Sequence, residues 1–176
     1  VEYIDIGGPA MVRAGAKNHR YVAVLVDPED YGMAKEAVER GGFSPEQRLY
    51  LAKKAFARTA AYDAAISNFL QGLGETFPPI YTLQFRNGRA LRYGENPHQL
   101  GAVYGERGIA GAEPFQGRQM SFNNYLDASS AVSLLSEFAD PCAVLVKHNN
   151  PCGVAIGDNL LSAYITAREV DPISAY

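Results

Sequence analysis

The chain has 176 residues, of which 47% are hydrophobic and 20% are charged, a composition typical of a globular protein with a substantial core. Its formal net charge of −3 argues against a main function in binding nucleic acid, because domains with that function are usually basic. No apolar stretch is long enough to predict a membrane helix or a signal peptide, so we expect a cytosolic protein without a membrane or nucleic acid as its partner.

The first part of the chain predicts two helices and one strand. A glycine pair followed by proline at 7–9 predicts a turn that opens a short helix over residues 10–16. The uninterrupted, largely β-branched run over 21–26 predicts a buried strand. The segment 27–39 predicts a second helix, which a pair of glycines then ends.

The strongest helix prediction begins at Ser44 and extends to about Leu70. Ser44 is a favourable cap, Pro45 suits the first helical position, and Gln47 completes a capping box. Apolar residues then recur at roughly helical spacing. Three basic side chains are expected on the solvated face of this helix: Lys53, Lys54 and Arg58.

A segment rich in glycine and proline over 71–79 predicts a domain boundary, which divides the chain into residues 1–79 and 80–176. Beyond it the pattern predicts strands and helices in the order strand, strand, helix, strand, helix, over 81–85, 102–104, 127–138, 143–146 and 160–170. Strands that alternate with helices predict an α/β fold with substantial parallel pairing.

Lys147 and His148 stand where the predicted strand 143–146 ends. In α/β sheets ligands gather at the carboxyl ends of strands, and two successive residues can serve one site only where the strand is ending. A neighbouring ammonium group favours the neutral imidazole that a general base requires, and Lys147 could stabilise an oxyanion in an acyl-type transfer. A solvated strand end remains the alternative from these two residues alone.

Two further groups of residues are candidates for binding an anion or a nucleotide. In the polar segment 92–99 an arginine suits a phosphate or carboxylate and a tyrosine can stack on a base, although an ordinary loop explains the same composition. Asp5 and Lys17 flank the glycine turn, whose following helix would present backbone N–H groups to an anion, so both could face one pocket. A plain helix cap is the alternative there.

The cysteines predict neither a disulfide nor a metal site. Cys142 and Cys152 are expected as free thiols in a cytosolic protein. The Pro151-Cys152 pair resembles part of the zinc-deaminase signature, but Ala155 stands where a second cysteine would be needed. A zinc-dependent nucleobase deaminase is therefore disfavoured, and we expect no metal.

Five segments together, in this order, resemble one family, the bifunctional AICAR formyltransferase/IMP cyclohydrolases of purine biosynthesis. They are I-D-I-G-G at the start, A-K-N-H at 16–19, R-Y-G-E-N-P-H-Q at 92–99, S-F-N-N-Y-L-D-A at 121–128 and V-K-H-N-N-P-C-G-V-A-I-G at 146–157. The resemblance covers essentially the whole chain.

The resemblance implies a segment of a longer protein, in keeping with chain ends that interrupt apolar patterns. Residues 1–79 would be the C-terminal part of a parallel-sheet cyclohydrolase domain, and residues 80–176 the N-terminal part of an α/β, cytidine-deaminase-like formyltransferase domain. The implied small molecules are AICAR, formyl-AICAR and IMP, with 10-formyltetrahydrofolate as co-substrate and no metal. A homodimer is implied for the whole protein, and little activity for the segment alone.

The resemblance also implies roles in formyl transfer. His148 would take the proton from the 5-amino group of AICAR, and Lys147 would stabilise the tetrahedral adduct. Arg92 and Tyr93 match the pair of residues that binds AICAR, and Asn124 matches a further contact to the substrate.

For the cyclohydrolase, Asp5, Ile6 and Gly7 match residues that line the nucleotide, and Lys17 matches the catalytic lysine. A nucleotide-binding module without catalysis is the alternative function, which the intact Lys147-His148 pair disfavours.

Overall fold

A computed structural model describes residues 1–175. The chain forms two compact units, Val1–Gln84 and the part from Phe85 onward, so the division lies a few residues beyond the glycine- and proline-rich segment. Helices and short strands together place the chain in the α/β class. Within residues 1–175 no helix combines the length and the apolar composition that crossing a membrane requires.

The first unit is helical. Its elements are α1 (Gly7–Lys17), a 3₁₀ turn (Pro28–Asp30), α2 (Tyr31–Glu39) and α3 (Pro45–Gln71). The capping box that begins α3 is confirmed, because Ser44 Oγ accepts from the Gln47 N–H at 3.2 Å and Gln47 Oε1 accepts from the Ser44 N–H at 2.9 Å.

The core of this unit lies between α1 and α3. Ala16, Ala52 and Ala55 are buried there, and Val24 and Val26 pack against them. The prediction of a strand over 21–26 is wrong for the described residues, because this segment is extended but pairs with no other strand of 1–175. Val24 and Val26 of this segment pack against helices, whereas Val22 is exposed.

The expectation that Lys54 lies on a solvated face is also wrong. Its ammonium group lies 2.7 Å from Asp30 Oδ2 and 3.0 Å from Asp27 Oδ2, and the Asp30 side chain is only 8% exposed. The Asp30 carboxylate first, and then that of Asp27, raise the pKa of Lys54 well above its ordinary value. Hydrogen bonds from Lys54 and from the Glu29 N–H lower the pKa of Asp27.

We expect Lys54→Met to destabilise the first unit, because it leaves the buried Asp30 carboxylate without its cation. The melting temperature should fall by roughly 5–15 °C, as for removal of one partner of a buried pair. The lowered pKa of Asp27 contributes stability above its ordinary value of 3.8 that is lost at lower pH, and the raised pKa of Lys54 contributes stability below 10.5 that is lost at higher pH. The difference in melting temperature between the wild type and Lys54→Met should therefore be largest between about pH 5 and pH 9.

The measurement is thermal unfolding followed by circular dichroism, with Lys53→Met as the matched control because Lys53 is exposed on the same helix. Equal melting temperatures for the two variants would contradict a structural role for the Lys54 ion pairs.

The second unit contains two small sheets and three helices among the described residues. Its elements are β1 (Arg89–Ala90), β2 (Ala102–Val103), α4 (Gly108–Gly111), α5 (Phe122–Leu135), β3 (Cys142–Lys147), β4 (Asn150–Ile156) and α6 (Leu160–Val170). Both sheets are two-stranded and antiparallel, so the prediction of parallel pairing is wrong for residues 1–175. The segment 81–85 likewise forms no strand.

The β3–β4 hairpin is the centre of this unit, and α5 and α6 both pack against it. Gly153 explains how closely α6 approaches β4, since a Cβ atom built there would lie 2.0 Å from the carbonyl oxygen of Ala167. Ala163 and Ala167 of α6 are fully buried at this contact. Small residues on both sides therefore set the distance between hairpin and helix.

We expect Gly153→Ala to destabilise the second unit by about 1–3 kcal/mol, because the added methyl group meets backbone that cannot move alone. Chemical denaturation would measure the change. Gly32→Ala is the control: it lies in α2 with open space around its Cβ position, and alanine is favoured in helices. A Gly153→Ala variant as stable as the wild type would show that α6 does not hold the hairpin at this point.

Candidate active site

Lys147 and His148 lie at the end of β3, where a tight turn connects it to β4. Lys147 is the last residue of β3 and pairs with Asn150, the first residue of β4. Between them, His148 and Asn149 have φ angles of 53° and 63°. Two positive φ angles in a two-residue hairpin loop are the signature of a type I′ turn. The turn leaves His148 exposed at the tip of the hairpin, while Lys147 is half-buried.

Hydrogen bonds from α5 hold this turn. Asp127 Oδ1 accepts from the backbone N–H of Asn149 at 2.6 Å, and the Ser130 hydroxyl hydrogen-bonds to the Asn149 side-chain oxygen. The side-chain amide of Asn150 donates to the carbonyl oxygen of His148 at 2.9 Å. The two residues with positive φ, His148 and Asn149, are thus held by hydrogen bonds from α5 on one side and from Asn150 on the other.

The charge of Lys147 acts on Asp171, which follows the end of α6. The pKa of Asp171 is lowered by hydrogen bonds from Ser174 and, to a smaller extent, by the positive charge of Lys147. Lys147 therefore lies near the end of α6 as well as beside His148.

Neither cysteine forms a disulfide: both Cys142 and Cys152 are free thiols, as predicted. Cys152 Sγ donates to the carbonyl oxygen of Leu145 across the hairpin at 3.5 Å. Among residues 1–175 no group of three histidine, cysteine, aspartate or glutamate side chains is placed to hold a metal ion.

Arg92 and Tyr93 form a second cluster in this unit. The Arg92 guanidinium lies 4.9 Å from the centre of the Tyr93 ring, and its Nη2 donates to the Tyr93 hydroxyl at 3.2 Å. A hydrogen bond with Ser121 and then the contact with Arg92 lower the pKa of Tyr93. The pair presents a cation and an aromatic ring side by side, a combination suited to a nucleotide.

Asn124 is bound into the start of α5. Its side-chain oxygen accepts from the N–H and from the hydroxyl of Ser121, both at 2.9 Å, while Ser121 Oγ accepts from the Asn124 N–H at 3.3 Å. This is a complete capping box around a buried serine. The side-chain NH₂ of Asn124 makes no hydrogen bond to another residue of 1–175, so it is the group that can donate to a ligand.

One face of α5 connects the two clusters. Asn123, Asp127 and Ser130 are spaced i, i+4 and i+7 and therefore lie on the same face. Asn123 donates to the Glu95 carbonyl oxygen at 3.1 Å, and the other two bind Asn149. The loop 92–99 and the hairpin turn are thus fixed on a single helix.

Sequence reasoning missed Asp127 and Ser130 as site residues. The available signal was the i, i+4, i+7 spacing of the polar residues Asn123, Asp127 and Ser130, together with the predicted turn after Lys147. Asp127 lies in the segment 121–128 that carries the family resemblance, but its partner on a distant hairpin is visible only in the fold.

The candidate residues of the first unit lie at the two ends of α1. Asp5 Oδ1 accepts from the Gly8 N–H in the first turn of the helix at 3.0 Å, while the Asp5 N–H donates to the Tyr62 hydroxyl at 2.8 Å. Ile6 and Gly7 are exposed at this end, and Lys17 is exposed at the other. Because α1 has 11 residues, its ends are about 15 Å apart. The structure does not bring Asp5 and Lys17 into contact, so only an extended ligand could reach both.

A family model described as AICARFT/IMPCHase bienzyme matches residues 15–176. Three curated relatives are called bifunctional purine biosynthesis protein PurH: those of Myxococcus xanthus (51% identical over 185 residues), Thermoanaerobacter sp. (49% over 182) and Aquifex aeolicus (48% over 184). A solved structure, the crystal structure of ForH, matches 39% of this chain and 39% of its own at 44% identity, with a TM-score of 0.37.

Each of the three PurH matches covers 100% of this chain and 36% of the relative. The chain therefore spans about a third of the length of these curated relatives. The family model covers well over half of the chain and includes the Arg92–Tyr93 pair, the start of α5 and the hairpin turn. The chain belongs to the AICARFT/IMPCHase bienzyme family.

Proposed function

We propose that this chain is part of an enzyme that formylates AICAR with 10-formyltetrahydrofolate and then closes the purine ring of formyl-AICAR to give IMP. Residues 80–176 would belong to the formyltransferase domain and residues 1–79 to the cyclohydrolase domain. The observation that carries the proposal is the single face of α5, which holds both the His148 turn and the loop with Arg92 and Tyr93.

In formyl transfer the 5-amino group of AICAR attacks the formyl carbon, so a new N–C bond forms and the bond from that carbon to N10 of the folate breaks. His148 takes the proton that the attacking amine loses. This amine is conjugated with an electron-poor ring and is a weak nucleophile, so a base is needed. General base catalysis contributes about 10²–10⁴-fold in such reactions.

Lys147 stabilises the negative charge that develops on the formyl oxygen in the tetrahedral adduct. Its position at the last residue of β3 supports this role, because the backbone of a paired strand fixes where its side chain begins. The proton returns to N10 as the adduct collapses, and formyl-AICAR and tetrahydrofolate leave.

Arg92, Tyr93 and Asn124 bind AICAR in this proposal. The guanidinium suits an anionic group of the nucleotide, the ring offers an aromatic surface, and the NH₂ of Asn124 offers a donor. The capping box fixes the Asn124 side chain in one orientation, so little conformational entropy would be lost when it binds a ligand.

For ring closure, Asp5, Ile6 and Gly7 line the nucleotide at the start of α1, where helix N–H groups favour an anion. Lys17, at the other end of the helix, moves protons as water is lost. We further propose that the whole protein is a cytosolic homodimer, in keeping with free Cys142 and Cys152 and with the family resemblance.

The test is the reaction itself in the whole protein, this chain extended to the length of its relatives. AICAR and 10-formyltetrahydrofolate should be consumed and IMP should form, whereas the 176-residue chain alone should show no meaningful turnover. Nucleotide binding by the whole protein without consumption of either substrate would instead identify a binding module and refute the proposal.

A further inference from the structure

We propose that Asp127 is a positioning residue for formyl transfer, whose carboxylate fixes the hairpin turn that presents His148. The inference rests on the proposed function of His148. Asp127 Oδ1 lies 2.6 Å from the backbone nitrogen of Asn149, the residue that follows His148 in the turn. A hydrogen bond from an N–H to a carboxylate is shorter and roughly twice as strong as one to a neutral acceptor.

The turn requires such a hold because of its backbone conformation. His148 and Asn149 both have positive φ, a region that histidine and asparagine enter more readily than most residues but still less readily than glycine. The usual sequence of a type I′ turn places glycine at the second position, where this chain has Asn149. Contacts from α5 therefore add to the partial preference for this turn that asparagine supplies.

Fixing Asn149 also restrains the backbone of His148, from which the imidazole projects, since the two residues share a peptide bond. Ser130, one turn further along α5, binds the side chain of Asn149 and adds a second hold. Asp127 also shares a helix face with Asn123, which binds the loop of Arg92 and Tyr93. The carboxylate thus sets the base relative to the residues proposed to bind the substrate.

Asp127→Ala in the whole protein should lower kcat for formyl transfer by about 10–100-fold, the effect expected when a catalytic group is displaced by about 1 Å. KM for AICAR should stay within about twofold, because binding residues are untouched. Cyclisation of supplied formyl-AICAR should be unchanged. Asp127→Asn keeps an acceptor oxygen and should retain most of kcat.

A rescue experiment separates positioning from general stability. Glycine at position 149 favours the type I′ turn by itself, so adding Asn149→Gly to Asp127→Ala should recover much of the lost kcat. Ser129→Ala is the matched control, one position before Ser130 and about 100° around the helix. If Asp127→Ala fails to fold, Ser130→Ala takes its place in the comparison with Ser129→Ala and in the rescue by Asn149→Gly. It is a smaller change that removes the hydrogen bond to the Asn149 side chain.

Unchanged kcat in a folded Asp127→Ala variant, or in Ser130→Ala where that variant replaces it, would overturn the inference. A loss of kcat that Asn149→Gly does not recover would overturn it as well. A wild-type protein that transfers no formyl group would instead refute the proposed function, so the two failures are distinguishable.

Discussion

Replacing His148 with alanine should lower formyl transfer by the whole protein about 10²–10⁴-fold, because the attacking amine then loses its general base. Cyclisation of supplied formyl-AICAR should remain nearly unchanged, since that site is proposed to use residues of the first unit. The measurement is initial rates of the two reactions, each started from its own substrate.

Alanine at position 148 changes two things at once, because it also disfavours the φ angle of 53° that His148 adopts. His148→Asn is therefore the better partner variant: asparagine tolerates positive φ but cannot act as a base at neutral pH. Both variants should lose formyl transfer to a similar extent. A His148→Asn variant that keeps wild-type kcat would show that position 148 shapes the turn and does not remove the proton.

Replacing Lys17 with alanine should have the converse effect. Ring closure should fall by about 10²-fold, the lower end of what general acid–base catalysis contributes, while formyl transfer stays near the wild-type rate. Lys17 is exposed at the last residue of α1, so its loss should leave the fold intact.

Lys53→Ala is the control for Lys17→Ala, since it removes an exposed lysine from a helix of the same unit without a proposed role in the reaction. The expected product pattern is accumulation of formyl-AICAR by Lys17→Ala and normal IMP formation by Lys53→Ala. Normal ring closure by Lys17→Ala would remove this lysine from the mechanism and leave the formyltransferase assignment unaffected.

Local signals predicted much of the fold. The capping box at Ser44 gave the start of α3, and the bounds of α6 agree with the predicted 160–170. The start of α5 was placed too late because its capping box uses Asn124 at the third position, where glutamate or glutamine is the usual signal. Helix starts with an unusual cap therefore require the structure.

Strand pairing was harder to predict, because it depends on residues distant in sequence. β4 was missed since Pro151 and Gly153 interrupt its pattern. The structure tolerates the proline at a register shift opposite Val146 and uses the glycine for close packing of α6. Segment 21–26 had the composition of a strand but packs on helices instead.

For the candidate site, too, local features could be predicted from the sequence and contacts between distant residues could not. The strand end before Lys147 and His148 was visible in the sequence, and the hairpin confirms that both residues stand where β3 ends. The hold of Asp127 on the turn was not visible, because it joins residues 22 positions apart. Tertiary contacts of this kind determine how the backbone of the turn is held.

The central claim is that two separate sets of residues serve two consecutive reactions. The most direct test quantifies AICAR, formyl-AICAR and IMP over time in the whole protein carrying either His148→Ala or Lys17→Ala. We predict that the first variant leaves AICAR unconverted but still cyclises added formyl-AICAR, and that the second converts AICAR to formyl-AICAR and stops there. Equal loss of both reactions in both folded variants would contradict the account.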